Sequence, residues 1–399
     1  MYLLVDVDSA FCEFERKRRP ELIGKPVVVT AGEAAVVAIS REAKALGIRR
    51  GEPLFKLKER LPADSQICFL PADHRWYHEA SSELMSYLRS QAPAFWQYSV
   101  DEAFMDMTGV KVDLKQWGEQ LYENVRDKIH VSVSIGIAPT KTLAKIAAHF
   151  AKHYEGYHHC CVIDTEEKRN KALQGTVIKD VWGIGRQYVG RMQRLGIGTA
   201  YDLAQRSVSW LRLQGASKAI IDTRNELCGI DCIPMRDPGP KKSISSTRTF
   251  SKMTSSLDDL SVYVSEFAAD CAEDLRRQHS VACAISVFIA TNPYREDLPQ
   301  YSQSLRLKLE TPTNLTNELS VHALHLLKKI FREGYRYKRA GVVVDHLISD
   351  EGVQASLFDF DARKHEKNRK VNEVVDRINR KLGEVSIKLG NQIDKKDRK

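Results

Sequence analysis

The sequence lacks the cysteine spacing of a metal ribbon and any apolar run long enough to cross a membrane. It contains eight cysteines, but none of them form a C-x-x-C pair, so neither a zinc ribbon nor a disulfide framework is predicted. No apolar run approaches the roughly 18 residues that span a bilayer. The first residues, MYLLVDVDSAF, reach carboxylates before a signal-peptide core could form. These absences predict a reduced, cytoplasmic protein with no membrane partner.

Length and charge narrow the class of protein further. A chain of 399 residues exceeds what one hydrophobic core usually organises, so two to four compact units are expected. Hydrophobic residues make up 43% and charged residues 28%, which is ordinary for a folded domain and argues against wholesale disorder. Lysine and arginine number 61 against 52 acidic residues. The excess favours a polyanionic partner without proving one, because many enzymes are merely basic.

The pattern of apolar residues predicts three folded regions. Short apolar strands such as Tyr2–Val5 alternate with amphipathic helices over about the first 165 residues, which is typical of an α/β unit. Residues 176–230 indicate short helices punctuated by glycine. Three prolines within 233–242 predict an extended tether. Beyond it the order β-α-β-β-α-β is expected. A basic tail follows that is either a marginal helix or disordered, and we favour partial disorder.

Two acids in succession, Asp101 and Glu102, interrupt an apolar strand pattern at Ser99–Phe104. Neighbouring side chains on a regular strand point to opposite faces, so the backbone must turn there if both acids are to face one cleft. The first strand could bring Asp6 close to them. Three carboxylates on a rigid sheet suit Mg²⁺ or Mn²⁺ and phosphoryl transfer. Taken alone, the acid pair is more often a solvated edge or a salt bridge.

A helix predicted from Thr140 to Lys152 carries an apolar stripe on one side. Lys145 and Lys152, seven residues apart, project from the other side. Such lysines could hold a triphosphate, although two solvated lysines on an exposed face are the usual outcome of this pattern.

Five motifs together resemble Y-family translesion DNA polymerases, and in particular the UmuC-type catalytic subunit of bacterial DNA polymerase V. Their order and spacing along nearly the whole chain make a chance agreement improbable. The motifs are Asp6-Val7-Asp8, Glu42-Ala43-Lys44-Ala45-Leu46-Gly47, Ser99-Val100-Asp101-Glu102-Ala103-Phe104, Ser134-Ile135-Gly136-Ile137-Ala138-Pro139-Thr140-Lys141-Thr142-Leu143-Ala144-Lys145, and Val181-Trp182-Gly183-Ile184-Gly185.

The resemblance implies an α+β multidomain fold shaped like a right hand. The implied boundaries are palm at 1–10 and 71–166, fingers at 11–70, a helical thumb with a helix-hairpin-helix at 167–232, a linker at 233–242, a β-α-β-β-α-β little finger at 243–350, and a clamp-binding peptide with a basic tail at 351–399. The implied activity is error-prone, DNA-directed DNA synthesis past lesions during DNA repair and the SOS response. A primer 3′-hydroxyl would attack a dNTP in a site holding two Mg²⁺ ions, for which Mn²⁺ could substitute.

The resemblance also implies roles for individual residues of the catalytic site. The metal ligands would be the side chains of Asp6, Asp101 and Glu102 with the carbonyl of Val7. Phe11 would be a steric gate against the ribose 2′-hydroxyl. The triphosphate would be bound by a set of basic residues, Arg41, Lys44 and Lys152.

Contacts with DNA and with other proteins are implied elsewhere in the chain. Gly183 and Gly185 would let the backbone approach DNA phosphates, and Lys252, Arg306 and Lys308 would contact the primer-template duplex. A sliding clamp would bind a short peptide whose contact residues are Gln354, Ser356, Leu357 and Phe358. The UmuC resemblance further implies a UmuD-type accessory dimer and a recombinase filament as partners.

Two stretches depart from the family pattern, and they keep other functions open. Ala10 stands where relatives often carry an aromatic residue, and Ile39-Ser40-Arg41 replaces the more usual triphosphate contacts. One alternative is therefore a DNA-binding scaffold with a degenerate palm. Another is a different palm-fold nucleotidyl transferase, such as a cyclase. The intact carboxylates argue against the first alternative, and the thumb and clamp motifs argue against the second.

Overall fold

A computed structural model describes residues 1–62, 65–235, 239–351, 362–382 and 387–388. The chain divides into two compact units, Met1–Asp237 and Pro238–Lys399. The boundary lies inside the range 233–242, for which the sequence predicts a tether. Among the described helices, none is long and apolar enough to cross a lipid bilayer.

A five-stranded sheet forms the centre of the first unit. Its central strand β1 is antiparallel to its neighbours on both sides and continues to Val7, two residues beyond the predicted end, because the pairing with one neighbour extends from Tyr2 to Val7. The strands lie in the order β5-β6-β1-β7-β8. Their bounds are β1 Tyr2–Val7, β5 Ala94–Gln97, β6 Glu102–Asp106, β7 Val133–Ala138 and β8 Cys160–Val162.

Both faces of this sheet are covered, and β1 shows why. Leu3, Val5 and Val7 alternate with Leu4 and point into a different core from it. The first core contains side chains of α4 (His74–Arg89) and α5 (Leu114–Ile129), and the second contains those of α6 (Lys141–His153). The sheet therefore lies between two layers of helix and holds the ends of its strands rigidly.

A smaller three-stranded sheet, ordered β3-β2-β4, lies in the first 71 residues. It has a hydrophobic cluster of its own around Val28 and Leu57. The elements of this part are α1 Ala10–Arg18, β2 Val27–Thr30, β3 Val36–Ile39, α2 Arg41–Ala45, α3 Leu54–Arg60 and β4 Cys68–Pro71.

Short helices complete the first unit, as the glycine punctuation predicts. They share their core with α6 and with Leu4 of β1. Gly183 lies in the turn before one of them with a φ of +87°, a left-handed conformation that favours glycine. The helices are α7 Glu166–Gln174, α8 Arg186–Arg194, α9 Ala200–Ala204, α10 Val208–Leu213 and α11 Lys218–Leu227.

The second unit has the predicted β-α-β-β-α-β order, and its four strands form an antiparallel sheet ordered β11-β10-β12-β9. For the tail, the helical alternative holds over residues 362–382, which form a helix whose Asp376 is buried against Arg276. The elements are β9 Ser243–Thr254, α12 Leu257–Arg277, β10 Ser280–Thr291, β11 Ser302–Thr313, α13 Thr316–Ile330, β12 Tyr337–Ser349 and α14 Ala362–Leu382.

Candidate active site

Three predicted carboxylates meet at one end of the central sheet. Asp6 of β1 lies directly opposite Glu102, the first residue of β6. Asp101 comes just before that strand, and its carbonyl accepts a hydrogen bond of 3.0 Å from the N–H of Val7. The chain turns between β5 and β6, since the N–H groups of Tyr98 and Ser99 both donate to the carbonyl of Glu102. The turn therefore breaks the alternation that would send the adjacent acids to opposite faces.

A cavity of about 940 Å³ opens beside these carboxylates. It lies between the central sheet, α1 and the segment that follows β3. Of the residues that the sequence predicts for the catalytic site, the cavity is lined by Asp6, Val7, Phe11, Lys44, Asp101, Glu102 and Lys152.

Two lysines of α6 pair with the acids instead of projecting into solvent. The Nζ of Lys152 lies 2.6 Å from Oδ1 of Asp6 and 3.3 Å from the carbonyl of Val7. The Nζ of Lys145 lies 2.7 Å from Oε1 of Glu102. The alternative of two solvated lysines does not hold for these residues. Helix α6 lies between the sheet and the short helices, and both lysine side chains are largely enclosed.

The crowded charges shift the pKa values of this group. Burial raises the pKa of Glu102, and the nearby charges of Asp6 and Asp101 raise it further, which together outweigh the effect of Lys145. Burial would lower the pKa of Lys152, but the charges of Asp6 and Asp8 outweigh burial and raise it. Several carboxylates therefore lie close together at this end of the sheet, and Lys145 and Lys152 offset part of their negative charge.

The donor set fits a hard divalent cation in its chemistry. Carboxylate oxygens and a backbone carbonyl are the ligands that Mg²⁺ prefers, and Asp6, Val7, Asp101 and Glu102 bring them to one cavity. As the side chains stand, no group of three or more His, Cys, Asp or Glu residues in the described ranges converges closely enough to hold a metal. A cation bound by Asp6 and the Val7 carbonyl would have to replace their contacts with Lys152.

Phe11 lies on the first turn of α1 and has firm support from behind. Its ring stacks on Tyr77 with centroids 4.4 Å apart and planes 14° from parallel. The hydroxyl of Tyr77 donates a 2.9 Å hydrogen bond to the buried carboxylate of Glu15. Because Tyr77 is fixed, Phe11 presents a rigid ring to the cavity.

The basic residues around the cavity are not the full set that the sequence predicts. Lys44 lines the cavity, but Arg41 does not; its guanidinium lies 3.2 Å from Glu155, and both side chains are exposed. Arg49 and Arg50 line the cavity instead and escaped the sequence analysis. The signal that could have found them is an arginine pair directly before a Gly-x-Pro turn.

The predicted DNA-contacting residues lie outside this cavity. Gly183 and Gly185 flank the turn that leads into α8, and Gly185 is its N-terminal cap. Lys252, Arg306 and Lys308 are exposed on strands of the second unit, but Arg306 pairs with Asp345 at 2.6 Å. The clamp-binding residues Gln354, Ser356, Leu357 and Phe358 lie outside the described residues.

Two regions of the chain, one in each compact unit, match models of one protein family. Residues 5–149, which contain all three carboxylates, match the impB/mucB/samB family. Residues 241–357 match the C-terminal domain of that family. The chain belongs to the impB/mucB/samB family.

Relatives of this family member are similar to it over nearly their whole length. Protein UmuC of Salmonella typhimurium is 35% identical over 397 residues, which covers 98% of this chain and 93% of that protein. A protein named DNA polymerase IV from Desulfatibacillum aliphaticivorans is 27% identical over 391 residues, covering 96% of this chain and 94% of the relative.

The fold is similar to that of solved Y-family polymerases. A chimera of the Y-family DNA polymerases Dbh and Dpo4 superposes with a TM-score of 0.70 at 23% identity and covers 87% of this chain and 99% of the chimera. At this identity the likeness shows the fold alone. Together with the family and its relatives, it confirms the predicted Y-family, UmuC-like polymerase, a DNA-directed DNA polymerase of α+β multidomain fold.

Proposed function

We propose that the chain adds dNTPs to a primer 3′-hydroxyl opposite damaged as well as intact template, as an error-prone translesion polymerase in DNA repair. One observation carries the proposal: three carboxylates, a supported aromatic ring and basic side chains line a single open cavity. This arrangement also favours a polymerase over a scaffold with a degenerate palm, because the three carboxylates and the basic side chains line the same cavity.

The residues of the cavity would divide the work. Asp6, Asp101, Glu102 and the Val7 carbonyl would hold two Mg²⁺ ions, or Mn²⁺ in their place. When bound, such ions activate the attacking hydroxyl and stabilise charge on the leaving pyrophosphate. A larger basic set would bind and orient the triphosphate, and it consists of Lys44, Lys152, Arg49, Arg50 and, from outside the cavity lining, Arg41.

Lys152 would change partners when a nucleotide binds. Its ammonium is held by Asp6 and the carbonyl of Val7, and a cation bound by those oxygens would release it. The triphosphate would then be the nearest anion, so that metal and nucleotide binding support each other.

The remaining parts of the family's hand would bind DNA and other proteins. We propose the palm at 1–10 and 71–166, fingers at 11–70, thumb at 167–232, linker at 233–242 and little finger at 243–350. Gly183 and Gly185 of the thumb, and Lys252, Arg306 and Lys308 of the little finger, would contact DNA phosphates. The peptide Gln354–Phe358 would bind a sliding clamp, and a UmuD-type dimer and a recombinase filament would be further partners.

Primer extension with Mg²⁺ tests the catalytic assignment. Mutating residues that only orient a metal ligand costs about 10- to 100-fold, so Asp101→Asn, which removes a ligand, is expected to lower extension by more than about 100-fold. Binding of primer-template should stay nearly unchanged. The matched control is Asp113→Asn, because Asp113 caps α5 away from the cavity and asparagine caps equally well.

The outcomes separate the parts of the proposal. Extension by Asp101→Asn at the rate of the control would contradict the metal assignment. Extension on intact template that stops at an abasic site would leave the polymerase in place and contradict the translesion role.

A further inference from the structure

Lys145 contacts both the carboxylate of Glu102 and a group of aromatic side chains. Its Nζ lies 2.7 Å from Oε1 of Glu102, and both side chains are more than four-fifths buried, at 16% and 18% exposure. The same Nζ lies 4.6 Å from the ring centroid of Tyr98, 5.5 Å from that of Trp182 and 5.9 Å from that of Phe104. An ammonium over aromatic faces is stabilised electrostatically, more so where water is excluded.

Trp182 comes from the helical part of the unit and is itself fixed. Its Nε1–H donates a 3.1 Å hydrogen bond to the hydroxyl of Tyr98, and the two rings meet edge to face at 5.7 Å. Its carbonyl accepts from Thr223 Oγ1 at 3.4 Å. The next residue, Gly183, passes so close to Thr223 that an added Cβ would lie 2.6 Å from that oxygen. The turn that carries the proposed phosphate-binding glycines thus also sets the position of the Trp182 ring.

Lys152 and Lys145, the two lysines that pair with the carboxylates, differ in their other contacts. Lys152 is 30% exposed, and in the described ranges its hydrogen bonds and ion pairs are formed with the oxygens of Asp6, Asp8 and Val7. Lys145 is enclosed by rings on one side and Glu102 on the other, so a ligand in the cavity has no direct access to displace it. Its contact occupies Oε1 of Glu102, and Oε2 accepts no hydrogen bond from any described residue.

We propose that Lys145 is a positioning residue that fixes the Glu102 carboxylate with Oε2 free for a ligand, and that Trp182 acts through Lys145. The inference rests on the proposed function, because it assumes that Glu102 binds a catalytic cation. The lysine has two opposing effects. It holds the carboxylate in one orientation, which speeds catalysis, and its positive charge repels the cation, which weakens binding.

These opposing effects define the expected result of Lys145→Met. Methionine keeps the length of the side chain but lacks the charge and the hydrogen bonds. Mn²⁺, titrated into the full chain without DNA and followed by its electron paramagnetic resonance, is expected to bind several-fold more tightly than in wild type. The kcat of primer extension is expected to fall about tenfold, since a misplaced catalytic group is costly. Damage to the fold would instead weaken both properties.

Further variants test the route through the rings. Lys145→Arg keeps the charge and is expected to hold Mn²⁺ affinity within about twofold of wild type while recovering part of kcat. Trp182→Leu removes the ring but no charge; it should lower kcat, leave Mn²⁺ affinity unchanged, and have no added effect on kcat in the Lys145→Met background. Lys168→Met is the matched control, because Lys168 forms an ion pair of the same 2.7 Å length with Asp164 outside the cavity.

The outcomes distinguish this inference from the proposed function. Lys145→Met that weakens Mn²⁺ binding, or that leaves both readouts as in the Lys168→Met control, would overturn the positioning role. Losses from Lys145→Met and Trp182→Leu that multiply independently would overturn the action of Trp182 through Lys145. If the wild-type chain failed to extend primers, the proposed function would fall, while tighter Mn²⁺ binding by Lys145→Met would still support the contact between Lys145 and Glu102.

Discussion

Ser99 makes the bend that lets two adjacent acids face one cavity. Its Oγ accepts hydrogen bonds from the N–H groups of Asp101 and Glu102 at 3.1 and 3.0 Å, and its hydroxyl also bonds to the Asp101 carboxylate. A small side chain of this kind competes with the strand ladder for backbone donors and thereby stabilises turns. Ser99 thus stabilises the turn that Asp101 and Glu102 need in order to face the same cavity.

Phe11 offers the clearest residue-scale prediction. Phe11→Ala is expected to raise the ratio of ribonucleotide to deoxyribonucleotide incorporation by at least about tenfold, which is about 1.4 kcal/mol of lost discrimination. The reason is that truncation removes the ring that would clash with a 2′-hydroxyl. Single-nucleotide kinetics with matched rNTP and dNTP would measure the ratio.

Phe55→Ala serves as the control for this prediction. Phe55 is an exposed phenylalanine of α3 that does not line the cavity, so its loss should leave the ratio as in wild type. If Phe11→Ala and Phe55→Ala gave the same ratio, Phe11 would not act as a steric gate.

Residue motifs allowed the acids to be predicted, but not their partners. Asp6 lies near the end of β1, Glu102 begins β6 and Asp101 directly precedes it; the apolar pattern places them on strands, and the family resemblance singles them out as metal ligands. The pairing of Lys145 and Lys152 with them depends on which elements cover α6, which is a property of the tertiary packing. The same limit applies to the exposed ion pair of Arg41 with Glu155, which the sequence pattern does not reveal.

At the scale of elements, the contact between β7 and α6 is the tightest constraint on the site. Gly136 of β7 lies so close to α6 that an added Cβ would come within 2.1 Å of the Ala144 carbonyl oxygen and 2.2 Å of the Ala148 nitrogen. Backbone cannot yield as a flexible side chain can. The glycine therefore lets α6 approach the sheet closely enough for its lysines to reach the acids.

Gly136→Ala is accordingly expected to destabilise the first unit by about 3 kcal/mol or more, the upper end for overpacking a core. Thermal unfolding followed by circular dichroism would measure the loss. Gly190→Ala is the matched control: Gly190 lies in α8 with open space around its Cα, and alanine there should stabilise the helix by about 0.5 to 1 kcal/mol. Equal melting temperatures for the two variants would contradict the close-contact argument.

Helix α14 shows where sequence patterns are weakest. Its many charges resemble a disordered tail, yet Asn372 and Asp376 of the helix are buried. Arg276 donates two hydrogen bonds of 2.7 Å to the carboxylate of Asp376 and also bonds to the Asn314 carbonyl. A pattern of hydrophobic residues cannot reveal the buried ion pair between this helix and α12.

Asp376→Ala is expected to release α14 from the second unit, because it leaves the buried guanidinium unpaired, a loss of about 3 to 5 kcal/mol. Hydrogen exchange of residues 366–382 should rise by orders of magnitude. Glu373→Ala, which removes an acid of the same helix from an exposed pair with Arg369, should change exchange little. If exchange in the two variants were the same, Arg276 would not be the anchor of the helix.

At the scale of the whole molecule, each unit has a core of its own and a different part of the proposed task. The acidic cavity belongs entirely to the first unit. In the second unit, Leu305, Leu307 and Leu309 of β11 pack toward the helices, so Arg306 and Lys308 between them lie on the open face of the sheet. Arg306 is largely neutralised by Asp345, which leaves Lys308 as the stronger candidate for a phosphate contact on this strand.

The salt dependence of DNA binding tests this division. Each phosphate neutralised by a lysine adds about 0.9 to the slope of log affinity against log salt concentration. Lys308→Ala is therefore expected to lower that slope by about 0.9 and to weaken binding equally for all sequences, while kcat at saturating DNA stays unchanged. Fluorescence anisotropy over a range of salt concentrations would give the slope.

Lys329→Ala removes an exposed lysine from α13, on the helical side of the same sheet, and should leave the slope as in wild type. If both variants lowered the slope alike, the effect would come from net charge and not from a DNA-binding face.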